Sequence, residues 1–151
     1  MIEKGGDVMS RGSSSFARLR AGRIVQLQVR RLADLDDVEA LHAEVTAQIR
    51  SAGTEVVICS DCRFASPVSR EVAHVWARSM RQNNGGVVRS GIILDPANTM
   101  FNLQLERVVR CSIHPQRRLF DDVTMVRDWL GVTLSEPERE ALRQLLADAR
   151  P

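Results

Sequence analysis

A chain of 151 residues has the length of one domain and is long enough to close an apolar core without disulfides or metals. Twenty of its 21 basic residues are Arg, but 19 acids bring the net charge to +2, and Tyr is absent. Near-neutral charge and few stacking side chains exclude a dedicated nucleic-acid binder, and the lack of any run of about 18 apolar residues leaves no helical membrane span.

In chain order, Met1 to Ser13 reads as a flexible leader of Gly, Ser and scattered charges, without the apolar core of a signal peptide. Phe16 to Arg20 and Val25 to Arg30 each alternate with period two around Ala21-Gly22, which is a hairpin pattern. Asp34 is placed to cap a helix with Val38, Leu41, Val45 and Ile49 on one face, ended by Gly53. Val56-Val57-Ile58-Cys59 is continuously apolar, as in a strand covered on both faces.

Ser66-Pro67 has the form of a helix start, with a capping hydroxyl before proline at the first helical position. The helix that follows carries Val68, Val72, Val75, Trp76 and Met80 and stops at Gly85-Gly86. A strand brackets Arg89-Ser90-Gly91, and Asp95-Pro96 repeats the cap-then-proline start for a helix running to about Cys111, with Met100, Leu103, Leu105 and Val108 as core candidates. Leu119-Phe120 is a short edge strand. Asp121 or Asp122 then caps a helix with Val123, Val126 and Trp129-Leu130. Ser135 and Glu138 have capping-box spacing before a last helix with Leu142, Leu145 and Leu146. The pattern predicts an α/β domain over 14–131, a mixed sheet of four or five strands with helices mainly on one face. Residues 132–151 then supply a C-terminal helix packed on the domain or in an interface.

Three passages carry a resemblance to the STAS superfamily, in its SpoIIAA-like, anti-sigma factor antagonist-like branch. They are the opening hairpin with the Asp34 helix, Val56 to Asp61 as the central strand ending in Asp, and Arg118-Leu119-Phe120-Asp121 followed by Trp129-Leu130. Phospho-regulated members of that superfamily present Ser or Thr just after an Asp and close before a Gly, at the start of the helix after the central strand. Here Phe64-Ala65-Ser66-Pro67-Val68-Ser69 has Ala65 in place of the Asp and no Gly, and Ser66 or Ser69 is the candidate phosphosite or anion site. The resemblance implies a non-enzymatic regulatory or protein-interaction domain with no cofactor. Its partner would be a regulatory kinase or an anti-sigma-like factor, and a homodimer would form through the edge strand or the last helix. The alternative is a small-ligand or lipid-binding module with a cavity between sheet and helices.

Three cysteines fit a reducing compartment and a cytoplasmic address. Cys59-x-x-Cys62 has redox spacing, and with Cys111 and His114 it makes a four-ligand zinc candidate, although Cys59 continues an apolar strand. Arg110, Arg117 and Arg118 flank one turn and form a candidate anion patch. Trp76 and Trp129 sit at helical spacing from other apolar residues and read as core. No nucleophile elbow or phosphate-cradling glycine loop is present.

Overall fold

A computed structural model describes residues 15–148, so the leader expected over Met1 to Ser13 lies outside the described residues. The chain forms β1 (Phe16–Ala21), β2 (Ile24–Gln28), α1 (Leu35–Ala52), β3 (Val56–Asp61), α2 (Arg70–Asn83), a 3-10 turn (Asn84–Gly86), β4 (Val87–Ile93), α3 (Thr99–Ser112), β5 (Arg117–Phe120), α4 (Val123–Gly131) and α5 (Glu136–Asp148). Five strands make one mixed sheet in the order β1-β2-β3-β4-β5, with β1 and β2 antiparallel and every later pair parallel. Among the described residues no helix is long and apolar enough to cross a membrane.

Gly22, at a φ of 54°, makes the β1–β2 turn where a side chain would be strained. The outward N–H groups of the edge strand β1 are covered by α1. Ala17 N donates to Glu44 Oε1 at 3.0 Å, and Leu19 N donates to Gln48 Oε1 at 2.6 Å, one helical turn on. That edge is therefore closed to further strand pairing.

Parallel strands laid down in one direction take right-handed crossovers, which put α1, α2 and α3 on the same face. Val56 and Ile58 of the central β3 pack there with Val38, Val72, Trp76, Phe101 and Leu105. Because successive strand residues alternate faces, Val57 and Cys59 enter a second core with Val126, Leu130, Leu142, Leu145 and Leu146 from α4 and α5. The C-terminal helix thus buries its leucines on its own sheet. α4 packs directly on Gly91 of β4, where a Cβ would stand 2.6 Å from Val126 Cγ2.

The Asp34 cap, with Asp37 N donating to Oδ1 at 3.0 Å, and the end of α1 at a left-handed Gly53 are as the sequence predicts. So is the capping box: Ser135 N donates to Glu138 Oε1 at 2.9 Å, and Glu138 N donates to Ser135 Oγ at 3.3 Å. Two cap-then-proline readings are corrected. α2 starts at Arg70 with Ser69 as its cap, because Ser66 N is held by Arg30 O at 2.7 Å and both backbone groups of Val68 are held by the Gln104 amide. α3 starts at Thr99, because Asp95 closes a turn onto Ala97 N and Asn98 N instead of entering the helix. Its buried stripe is Phe101, Leu105 and Val108, while Met100 and Leu103, expected in the core, are 64% and 69% exposed.

Candidate functional site

The two serines of the loop before α2 have different tasks. Ser69 Oγ accepts from Val72 N at 3.1 Å, whereas the exposed Ser66 contributes only its backbone N–H among the described residues. Ser69→Ala should cost about 0.5–2 kcal/mol of stability, and Ser66→Ala should stay within about 0.5 kcal/mol. Urea unfolding of the two variants checks this, and the reverse order would return the cap to Ser66. The same loop is braced by Arg63, whose Nε and NH2 donate to the two carboxylate oxygens of Asp61 at 3.0 and 2.9 Å. The guanidinium groups of Arg30 and Arg63 lie 5.3 and 5.4 Å from the Phe64 ring centre.

The candidate zinc set is not brought together. Cys59 lies in the core under α4 and α5, Cys62 in the core under α1 to α3, and Cys111 is exposed at the end of α3. His114 Nδ1 accepts from Gln116 N at 3.0 Å, which leaves Nε2 as the protonated nitrogen donating to Val87 O at 2.8 Å. Both ring nitrogens are thus engaged. Burial pushes the Cys59 thiol up to about 12 and raises Cys62 further, so neither is a thiolate near neutral pH. The arginine patch also disperses: Arg110 is exposed on α3, Arg117 is buried beneath the helices, and Arg118, one residue on, points to the opposite face, 5.1 Å from the Trp129 ring.

Two other features have the shape of binding sites. A groove of about 610 Å³ runs between α2 and α3 on the outer surface of the helix layer. Along α2, Arg70, His74, Ala77 and Arg81 recur at helical spacing; along α3, Met100, Leu103, Arg107 and Cys111 do the same. Small Ala73 and Ala77 keep the floor low, Met100 and Leu103 supply exposed apolar walls, and among the described residues no carboxylate lines it. Sequence reasoning missed this site because it assigned Met100 and Leu103 to the core. The recurrence of Arg70, His74, Ala77 and Arg81, and of Met100, Leu103, Arg107 and Cys111, at steps of three and four residues was the available signal.

The second feature is a cavity of about 60 Å³ between the sheet and helices α1 and α2, bordered on the sheet side by Ser60, Ser90 and Arg117 and on the helix side by His42, Ser79 and Asn83, with apolar side chains making up the rest. It is far smaller than a lipid site, which takes several hundred Å³. Comparison with known proteins assigns neither feature, because no family model, curated protein or solved structure matches this chain.

Proposed function

We propose that the chain is a non-enzymatic, STAS-like regulatory domain that acts by binding a protein partner, and that the α2–α3 groove receives an acidic amphipathic helix of that partner. The observation that carries this reading is an apolar floor with exposed Met100 and Leu103, rimmed by Arg70, Arg81 and Arg107 without a compensating acid among the described lining residues. An apolar stripe flanked by carboxylates is the complement of such a surface, in the helix-in-groove mode of recognition. From Arg70 to Arg81 the groove is about 16 Å long, which matches three turns of a helix. A regulatory kinase or an anti-sigma-like factor is the class of partner that the family resemblance implies.

Support for the STAS-like part comes from where the three resembling passages fall. They fold as the β1–β2 hairpin leading into α1, as the central strand ending on Asp61, and as the closing β5 and the Asp122-capped α4. The departure at Ala65 bears on any phosphorylation switch and leaves the groove untouched.

The test uses two synthetic helical peptides with the same apolar face, one otherwise rich in Glu and one rich in Lys, followed by fluorescence anisotropy. The acidic peptide should bind, more weakly as salt rises, and Leu103→Asp or Arg107→Glu should weaken it by about tenfold or more with unchanged thermal melts. Equal binding of both peptides, or none, overturns the proposal. Concentration-dependent dimerisation abolished by the same variants would make a second copy of the chain the occupant instead.

A further inference from the structure

Arg117 is a buried cation without a counter-charge. It is 7% exposed, and among the described residues no carboxylate pairs with it. Its NH1 donates to Asn84 Oδ1 at 3.0 Å and to Ser112 Oγ at 2.8 Å, while Nε and NH2 donate to no described residue. Burial lowers the guanidinium to about 10, and no acid opposes that fall. A buried charge left in this state is costly unless something else supplies the opposite sign.

The sheet register places two hydroxyls beside it. Ser90 is the residue opposite Arg117 across the β4–β5 pair, and Ser60 lies on the same face of β3. Both serines are 3% exposed, and neither hydroxyl bonds to another described residue. All three border the 60 Å³ cavity, whose sheet-side walls include Ile58 and Ile92 and whose helix side carries Trp76 together with the polar His42, Ser79 and Asn83. Such a space holds about four or five heavy atoms.

We propose that this cavity is a binding site for a short monocarboxylate of about two or three carbons, its carboxylate facing Arg117 and the Ser90 hydroxyl and its alkyl end lying against Ile58, Trp76 and Ile92. One guanidinium balances one negative charge, which disfavours a phosphate dianion. The apolar walls disfavour a fully hydrated inorganic anion. Water would satisfy the hydroxyls but leave the charge unbalanced. The site lies beneath α2 and the peptide groove on its outer side, so it stands or falls independently of the partner-binding reading.

The experiment is an NMR titration of the labelled full chain with acetate and propionate at constant ionic strength, with 1-propanol and nitrate as controls. Saturable shifts are expected at Ser60, Trp76, Ser90, Ile92 and Arg117, together with a rise in melting temperature that follows carboxylate concentration. Arg117→Gln should weaken binding by about ten- to a hundredfold. Ser90→Val, which keeps the β-propensity of the strand, should weaken it by about tenfold and serves if the arginine variant does not fold. Absence of saturable shifts overturns the proposal. An equal response to 1-propanol reduces the site to an apolar void, and saturation by nitrate alone makes it an inorganic anion site; either result also overturns it.

Discussion

Replacing Glu138 by alanine should remove about 3 kcal/mol of stability, because it breaks a partly buried ion pair and takes the acceptor from four donors at once. Glu138 is 7% exposed on α5, and its carboxylate accepts from Arg23 N at 2.9 Å and Arg23 Nε at 3.3 Å while pairing with Arg23 NH2 at 3.0 Å. It also accepts from Ser135 N at 2.9 Å, closing the capping box that starts the helix. This one side chain therefore ties the last helix to the first hairpin, 115 residues away in sequence. Gly22 completes the joint, since a side chain there would collide with the Glu138 carboxylate. Glu136, two residues earlier, supplies the control: its pair with Arg139 is 80% exposed on the acid side, and Glu136→Ala should change stability by less than about 1 kcal/mol. Chemical denaturation reads both, and a loss below about 1 kcal/mol for Glu138→Ala would mean that α5 is not held by this pair.

The same carboxylate sets an acid limit on stability. The Arg23 hydrogen bond, aided by backbone N–H groups of Ser135 and Arg23, holds the Glu138 pKa down to about 2 from an ordinary 4.5. A depressed folded-state pKa means that its stabilisation is complete above the unfolded value and is lost as pH falls from about 4.5 through about 2. A shift of this size corresponds to about 3 kcal/mol. Glu138→Gln, which cannot titrate, should show a flatter stability profile across that window, with the gap between the two proteins closing toward its acid end. Parallel profiles would remove Glu138 as the titrating group.

Much of the fold was legible because its signals are local. The alternation around Gly22, the doubly covered run Val56 to Cys59 and the Ser135/Glu138 spacing each express a backbone periodicity or a cap that needs no distant residue. What stayed hidden depends on tertiary contacts. Ser66-Pro67 has the residue types of a helix start, but Gln104, 36 residues away, takes both backbone groups of Val68 and holds the segment out of the helix. The Arg110, Arg117 and Arg118 cluster failed for a simpler reason: neighbouring strand residues face opposite ways, which sends Arg117 inward and Arg118 outward. The groove and the cavity were illegible because each joins residues from separate elements, and their existence depends on helix rotation about its axis.

That rotation is what the last prediction tests. Read from sequence, Met100, Leu103, Leu105 and Val108 are the core candidates of α3, but they cannot share one face: Met100 and Leu103 lie on one apolar stripe, and Leu105 and Val108 lie with Phe101 on another. In the structure Phe101 is fully buried, with its ring 6.3 Å from that of Trp76, while its neighbour Met100 is 64% exposed. Phe101→Ala should therefore cost about 3–5 kcal/mol through lost burial and an unfilled cavity. Leu103→Ala should cost within about 0.5 kcal/mol yet weaken the acidic peptide in the groove. Thermal and urea melts of the two variants separate the alternatives, since each stripe predicts the opposite ranking. A larger loss at Leu103 than at Phe101 would turn α3 by one residue, bury the groove wall and withdraw the proposed docking site, while the cavity beneath α2 would keep its lining.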